Sequence, residues 1–308
     1  MRSGLPGGLD RRVALGLAVP AGLLGVLVAW TFGDIPAAAT MRLCADLAGA
    51  AVLGLAALPR LNGRLDVPWR MLAVLAGAWC CLEFAVLVFA AGDVVGSGVT
   101  ALSPADFATY LVRISGGQIG LAILAGTAVV AVYSTLTFRR SGGHSPDLVL
   151  VFAAVTVTLR PITGHMSQQM FGSVLAGVHA LAAAMWLGLL LALALVVRGR
   201  RDWADTLPRY SAVAVPMVAA VAVTGLINGS VRMGGLTPFF TTGYGRIMVA
   251  KSVLLILLLA LGWWWRRSWV AAAAAHRMSA EASLRRAVLE VAVMAAVFGL
   301  AASLAVAG

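Results

Sequence analysis

The sequence predicts an all-α polytopic membrane protein, and three observations lead there. The 308 residues are 61% hydrophobic and 11% charged, against roughly 45–50% apolar and about 25% charged in a soluble domain. A mean hydropathy of +0.95 leaves more apolar surface than one soluble core can hide, and it excludes disorder. The apolar residues fall in long unalternated runs of about 20, enough to cross a hydrocarbon core as a helix. A transmembrane β-barrel would show short alternating segments. Three cysteines are too few for a disulfide-stapled secreted fold.

By span length, nine transmembrane helices are expected: 13–32, 38–58, 71–91, 108–138, 147–165, 174–197, 208–229, 244–265 and 287–307. The fourth is long and is expected to begin with an interfacial turn. No small-residue cleavage site follows the first span, so no cleavable leader is expected. The adjacent Cys80 and Cys81 read as core packing, and Trp263-Trp264-Trp265 as an interfacial aromatic belt.

The formal net charge is +11. In a soluble protein it would suggest nucleic acid; here it reports topology, and no nucleic-acid partner is expected. Arg2, Arg11 and Arg12, then Arg60, Arg64 and Arg70, Arg139 and Arg140, fall on one side of the spans. Arg198, Arg200, Arg201 and Arg209 join them, as do Arg266, Arg267, Arg277, Arg285 and Arg286. The loop 92–107 has no basic residue, and 229–243 has only Arg232. The positive-inside rule then puts the N-terminus in and the C-terminus out. Two halves are expected, 1–146 with spans one to four and 147–308 with spans five to nine. An offset of 134 residues aligns Gly54 with Gly188, Arg64 with Arg198 and Tyr110 with Tyr244. It also aligns Leu102-Ser103-Pro104 with Leu236-Thr237-Pro238. This predicts a 4+4 parallel repeat plus one extra helix, the alternative being chance in an Ala-, Gly- and Leu-rich chain.

Charged groups inside spans are costly and mark interiors, cavities or partners. Asp46, Glu83, Arg113, Arg160, His179 and Lys251 fall within one outer-half layer when depth is counted at about 1.5 Å per residue. Lys251 is the only lysine among 23 basic residues, and its expected partner is Asp46 or Glu83. The network is read either as a packing lock or as an outward-facing polar pocket. Glu290 lies nearer the cytoplasmic end, within snorkelling range of Arg266 or Arg267.

A set of soft donors adjoins this layer. Gly164-His165-Met166-Ser167-Gln168-Gln169-Met170 closes span five, and His179 begins span six. Met166 and Met170, four apart, share a helical face. Met41 and Cys44 start span two, and Met233 sits in the last outer loop. Imidazole, thioether and thiolate suit Cu(I), although a single Met is more often packing. Candidate metal ligands are therefore His165, His179, Met166 and Met170, with Met41, Cys44 and Met233 as possible additions. No Cys-x-x-Cys, His-Glu-x-x-His, Walker or dinucleotide motif occurs in context, and no enzymatic activity is expected.

From Gly164-His165 onward the chain resembles the copper resistance protein D (CopD) family. The resemblance runs through His179-Ala-Leu-Ala-Ala-Ala-Met-Trp186-Leu-Gly188, Arg209-Tyr-Ser and Thr224-Gly225-Leu226-Ile227-Asn228. Tyr244-Gly245-Arg246 with Lys251, and Leu284-Arg285-Arg286 with Glu290, complete it. Ala45-Asp46-Leu47 and Gly54 also look like actinobacterial members. Some of those are fused to a CtaG-type oxidase assembly domain, which this chain is expected to lack. The resemblance implies a multi-pass protein of the bacterial cytoplasmic membrane with His165 and His179 as copper ligands. It implies a role in moving copper inward or supplying it to oxidase assembly. The implied partners are the bilayer and an extracytoplasmic copper-binding protein or oxidase assembly factor. Three readings follow: a copper transporter, a copper-supplying assembly factor for a cuproenzyme, and a haem-binding membrane oxidoreductase with His165 and His179 as axial ligands.

Orientation is directly testable. A periplasmic-type reporter enzyme fused within 92–107 should be active and one fused within 198–201 inactive; the reverse pattern would overturn the assignment.

Overall fold

The computed structural model describes residues 11–32, 37–96, 98–140, 144–162, 171–233 and 241–306. The described residues contain no strand and form ten main helices. They are α1 (Arg11–Trp30), α2 (Ala38–Leu61), α3 (Trp69–Val95), α4 (Pro104–Arg113) and α5 (Ser115–Arg140). Then come α6 (Asp147–Ile162), α7 (Gly172–Val196), α8 (Arg200–Met233), α9 (Gly243–Trp265) and α10 (Ala280–Val306). A π-helical turn, Arg266–Val270, and a short helical turn, Ala271–Ala274, extend α9.

Seven helical stretches are long and apolar enough to cross a bilayer: α2, α3, α5, α7, α10, Arg200–Gly229 of α8, and Gly245–Ala274 at α9. The chain is thus a multi-pass membrane protein. Two of the nine expected spans are shorter in this structure: the apolar stretch Gly16–Trp30 of α1, and the 16-residue α6. The expected interfacial turn before the fourth long span is the separate helix α4. Ser103 caps its start by accepting from the Asp106 amide, and Pro104 occupies the first turn. It stops at Ile114, which is extended. Arg113, in its last turn, is exposed. Gly96, at φ 71°, ends α3 in the left-handed conformation.

The centre of the bundle is α2 against α7. From Leu43 to Leu58 α2 is almost continuously buried, and from Ala184 to Leu195 α7 is too. They can approach so closely because Gly54 and Gly188 face one another. A Cβ on Gly54 would overlap the Gly188 carbonyl, and one on Gly188 would overlap the Ala50 carbonyl. Small residues at such crossings let backbones touch where lipid supplies no hydrophobic drive. The same device joins α1 to α10, with Gly22 against Gly299 and Gly25 against Ala296.

Two contacts follow the pairing that the repeat would give. Its equivalent glycines, Gly54 and Gly188, meet at the centre, and α3 packs on α2 as α8 packs on α7. The correspondence fades further out: α3 packs extensively along α5, whereas α8 touches α9 only slightly and α9 packs mainly on α10.

The arginine-rich end is knit by polar contacts. Arg60 pairs with Asp147 at 2.8 Å and Arg64 with Asp205 at 3.4 Å, both exposed. Arg209 caps α2 by donating to the Leu61 carbonyl at 2.8 Å. Trp263 and Trp264 are exposed as a belt requires, but Trp265 turns inward and meets Trp269 edge-on at 5.6 Å. Cys80 is half-buried and Cys81 exposed, so the pair is not core packing as expected.

Gly188→Val should lower thermal stability in detergent by at least the 1–3 kcal/mol usual for overpacking. Gly77→Val, where a Cβ meets nothing within 4 Å, should change it far less. Equal effects would remove the α2–α7 contact from its central place.

Candidate functional site

At the arginine-poor end, seven helices present charged, polar or aromatic side chains to one cavity of about 320 Å³. These come from the first turns of α2, α7 and α9 and from the later turns of α3, α6, α8 and α10, as alternating helix directions require. Five of the six expected intramembrane groups line it: Asp46, Glu83, Arg160, His179 and Lys251. Arg113 does not.

Arg42, Asp46 and Gly49 stand at i, i+4 and i+7, so they share one face of α2. The Arg42 Nε donates to both Asp46 oxygens at 3.1 Å. On α3, Trp79 Nε1 donates to Glu83 Oε1 at 3.2 Å. Arg160, at the end of α6, donates from Nη2 to Glu83 Oε2 at 2.5 Å. Both Glu83 oxygens are therefore engaged, as a carboxylate only 4% exposed needs. Two arginines and two carboxylates cancel in formal charge.

This pairing corrects the expectation for Lys251. Asp46 is held by Arg42, four residues earlier, and Glu83 by Arg160. No carboxylate of the described residues lies within 4.0 Å of the Lys251 ammonium. The ammonium lies instead in the cavity that His179 lines.

His179 is oriented by α8. Its Nδ1 lies 2.9 Å from Thr224 Oγ1. The Thr224 hydroxyl donates its own hydrogen to the Ala220 carbonyl at 2.5 Å. Its oxygen is then placed to accept from Nδ1–H, and in that tautomer Nε2 carries the free lone pair. That is the ring state in which histidine binds a metal, with the second nitrogen held by a neighbour. Gly225 makes room: a Cβ there would stand 3.3 Å from His179 Cε1. Asn228, one turn on, has a buried Oδ1 with no hydrogen-bond partner among the described residues and also lines the cavity.

Of the other soft donors, His165, Met166 and Met170 lie outside the described residues. Met41 packs on the core and Cys44 is half-buried beside the cavity, but neither lines it. Met233 ends α8. Among the described residues no three His, Cys, Asp or Glu side chains converge as a metal site. Glu290 lines a different cavity. It does not reach its expected arginines: Arg266 donates to the Ser211 carbonyl at 3.1 Å, and Arg267 stacks on Trp263 at 4.1 Å.

Sequence reasoning missed Arg42, which was signalled by its i,i+4 spacing to Asp46. It named Thr224 and Asn228 only within the family resemblance and gave them no role, because the partner of Thr224 is 45 residues away.

The family model described as copper resistance protein D matches residues 204–304, from α8 to α10. Over that stretch the chain is similar to the CopD family. It is also 24% identical over 205 residues to the copper transport protein CutJ of Bacillus subtilis (strain 168), an alignment covering 60% of this chain. The same alignment covers 37% of CutJ, so the chain spans well under half of that relative. No solved structure matches the chain. The CopD match takes in Thr224, Asn228, Lys251 and Glu290, whereas His179 lies before it.

Breaking the buried pair should be costly. Glu83→Gln removes the carboxylate that faces the Arg160 guanidinium and should destabilise the fold by about 3–5 kcal/mol. Adding Arg160→Gln should recover part of the loss. Thermal unfolding in detergent checks both, and an unchanged melting temperature in Glu83→Gln would refute the pairing.

Proposed function

We propose that this CopD-like protein moves copper across the bacterial cytoplasmic membrane, taking Cu(I) from the outer side at His179. The observation that carries this is the His179–Thr224–Ala220 chain of hydrogen bonds, which leaves Nε2 free as a donor beside a buried cavity. Imidazole suits copper, and thioethers soften the site toward the cuprous ion. His165, with Met166 or Met170, supplies the remaining donors in this reading. The printed name of the relative CutJ, a copper transport protein, supports transport. The arginine-rich end faces the cytoplasm by the positive-inside rule, so copper moves from the arginine-poor end inward. No chemistry is catalysed. An extracytoplasmic copper-binding protein delivers the ion.

Copper uptake into proteoliposomes, with a Cu(I) affinity measured by chelator competition, tests the reading. His179→Ala should abolish both, and Thr224→Val should weaken affinity about 10–100-fold, as loss of an orienting neighbour does. Binding without uptake would replace transport by a copper-supplying role in cuproenzyme assembly. A Soret band in the purified protein would point to haem instead. Unchanged Cu(I) affinity in His179→Ala would remove the site from this cavity.

A further inference from the structure

A second cavity, of about 380 Å³, lies toward the arginine-rich end between α7, α8, α9 and α10. Its lining is mostly apolar, and Glu290 and Tyr210 are the buried polar groups of interest in it. Glu290 is only 7% exposed and has no ion pair among the described residues. Tyr210 is 4% exposed, and its hydroxyl, beside the Trp186 indole, makes no hydrogen bond of ordinary geometry. A buried carboxyl with no ion pair, and a buried hydroxyl with only an indole beside it, are expensive unless something polar visits them.

Two side chains line both cavities: Trp186 and Leu258. Trp186 follows His179 by seven residues on α7, and Leu258 follows Lys251 by seven on α9. Each is two helical turns, about 10 Å, further along the same face. On α10 the change from one cavity to the other takes a single turn, from Met294 to Glu290. The wall between the two chambers is therefore as thin as one layer of side chains.

We propose that the Glu290–Tyr210 chamber is a second cation site, and that Trp186 with Leu258 is the gate between it and the His179 cavity. This rests on the transport reading and adds its inner half. The ion it takes is the copper cation, partly dehydrated, held by the carboxylate and phenol oxygens. Hard oxygen donors hold a soft ion weakly, which suits a station from which the ion must leave. The indole is the bulkier half of the gate and is 7% exposed.

The test uses the full chain with Cys44, Cys80 and Cys81 changed to Ser and a reporter, Ser211→Cys, in the second chamber. A membrane-impermeant cationic thiol reagent is applied from each side of oriented vesicles. The reporter should react from the arginine-rich side only. Trp186→Ala should raise its reaction from the other side at least tenfold, and Trp186→Phe should not. Leu258→Ala opens the same wall from α9 and serves if Trp186→Ala fails to fold. Reaction from both sides in the parent, or no change in either alanine variant, would overturn the gate. Glu290→Gln should cut copper uptake at least tenfold while Cu(I) affinity at the His179 cavity stays unchanged; full uptake would overturn the second site. If the parent moves no copper, the transport reading fails and the second site falls with it, while the labelling pattern still decides the gate.

Discussion

The contact of Gly54 with Gly188 governs the architecture. In a bilayer, two apolar helices gain nothing by leaving lipid for each other except closer packing and shared polar contacts. Removing both side chains at the crossing lets α2 and α7 touch backbone to backbone, and the other helices pack around that pair. The crossing also sets the height of the functional groups. Asp46 precedes Gly54 by eight residues and His179 precedes Gly188 by nine, so both stand about 12–14 Å from the crossing. The two helices bring their polar groups to one level because they share one fixed point.

Charge compensation then decides what the cavity can hold. An ion in a low-dielectric interior needs a partner and further hydrogen bonds. Arg42 with Asp46, and Arg160 with Glu83 and Trp79, meet that need within the wall. The side chains left for a visitor are His179, Lys251 and Asn228. Arg160 ties α6 to α3 and Thr224 ties α8 to α7, so the cavity wall is pinned across helices distant in sequence. The second chamber is held differently, by buried indoles: Trp203, Trp265 and Trp269 pack together at its side. Its carboxyl has no ion pair among the described residues.

The helical, membrane-spanning class follows from composition and run length, because span length is fixed by bilayer thickness and needs no tertiary information. The uneven arginines mark one end of the bundle for the same reason. The level of Asp46, Glu83, Arg160, His179 and Lys251 was legible by counting rise per residue along each span. Arg113 escaped that count because Ile114 breaks the helix there, and a count along one chain direction assumes no break.

Partners were decided by the tertiary structure. Glu83 lies 77 residues from Arg160 and His179 lies 45 from Thr224; nothing in either local sequence says which face of α6 or α8 turns toward them. Lys251 was assigned an acid by depth alone, and depth does not distinguish azimuth around a helix. The arginines nearest each acid in space took those places. Trp265 likewise left its two exposed neighbours, because consecutive helical residues point about 100° apart and only packing selects which one meets the core.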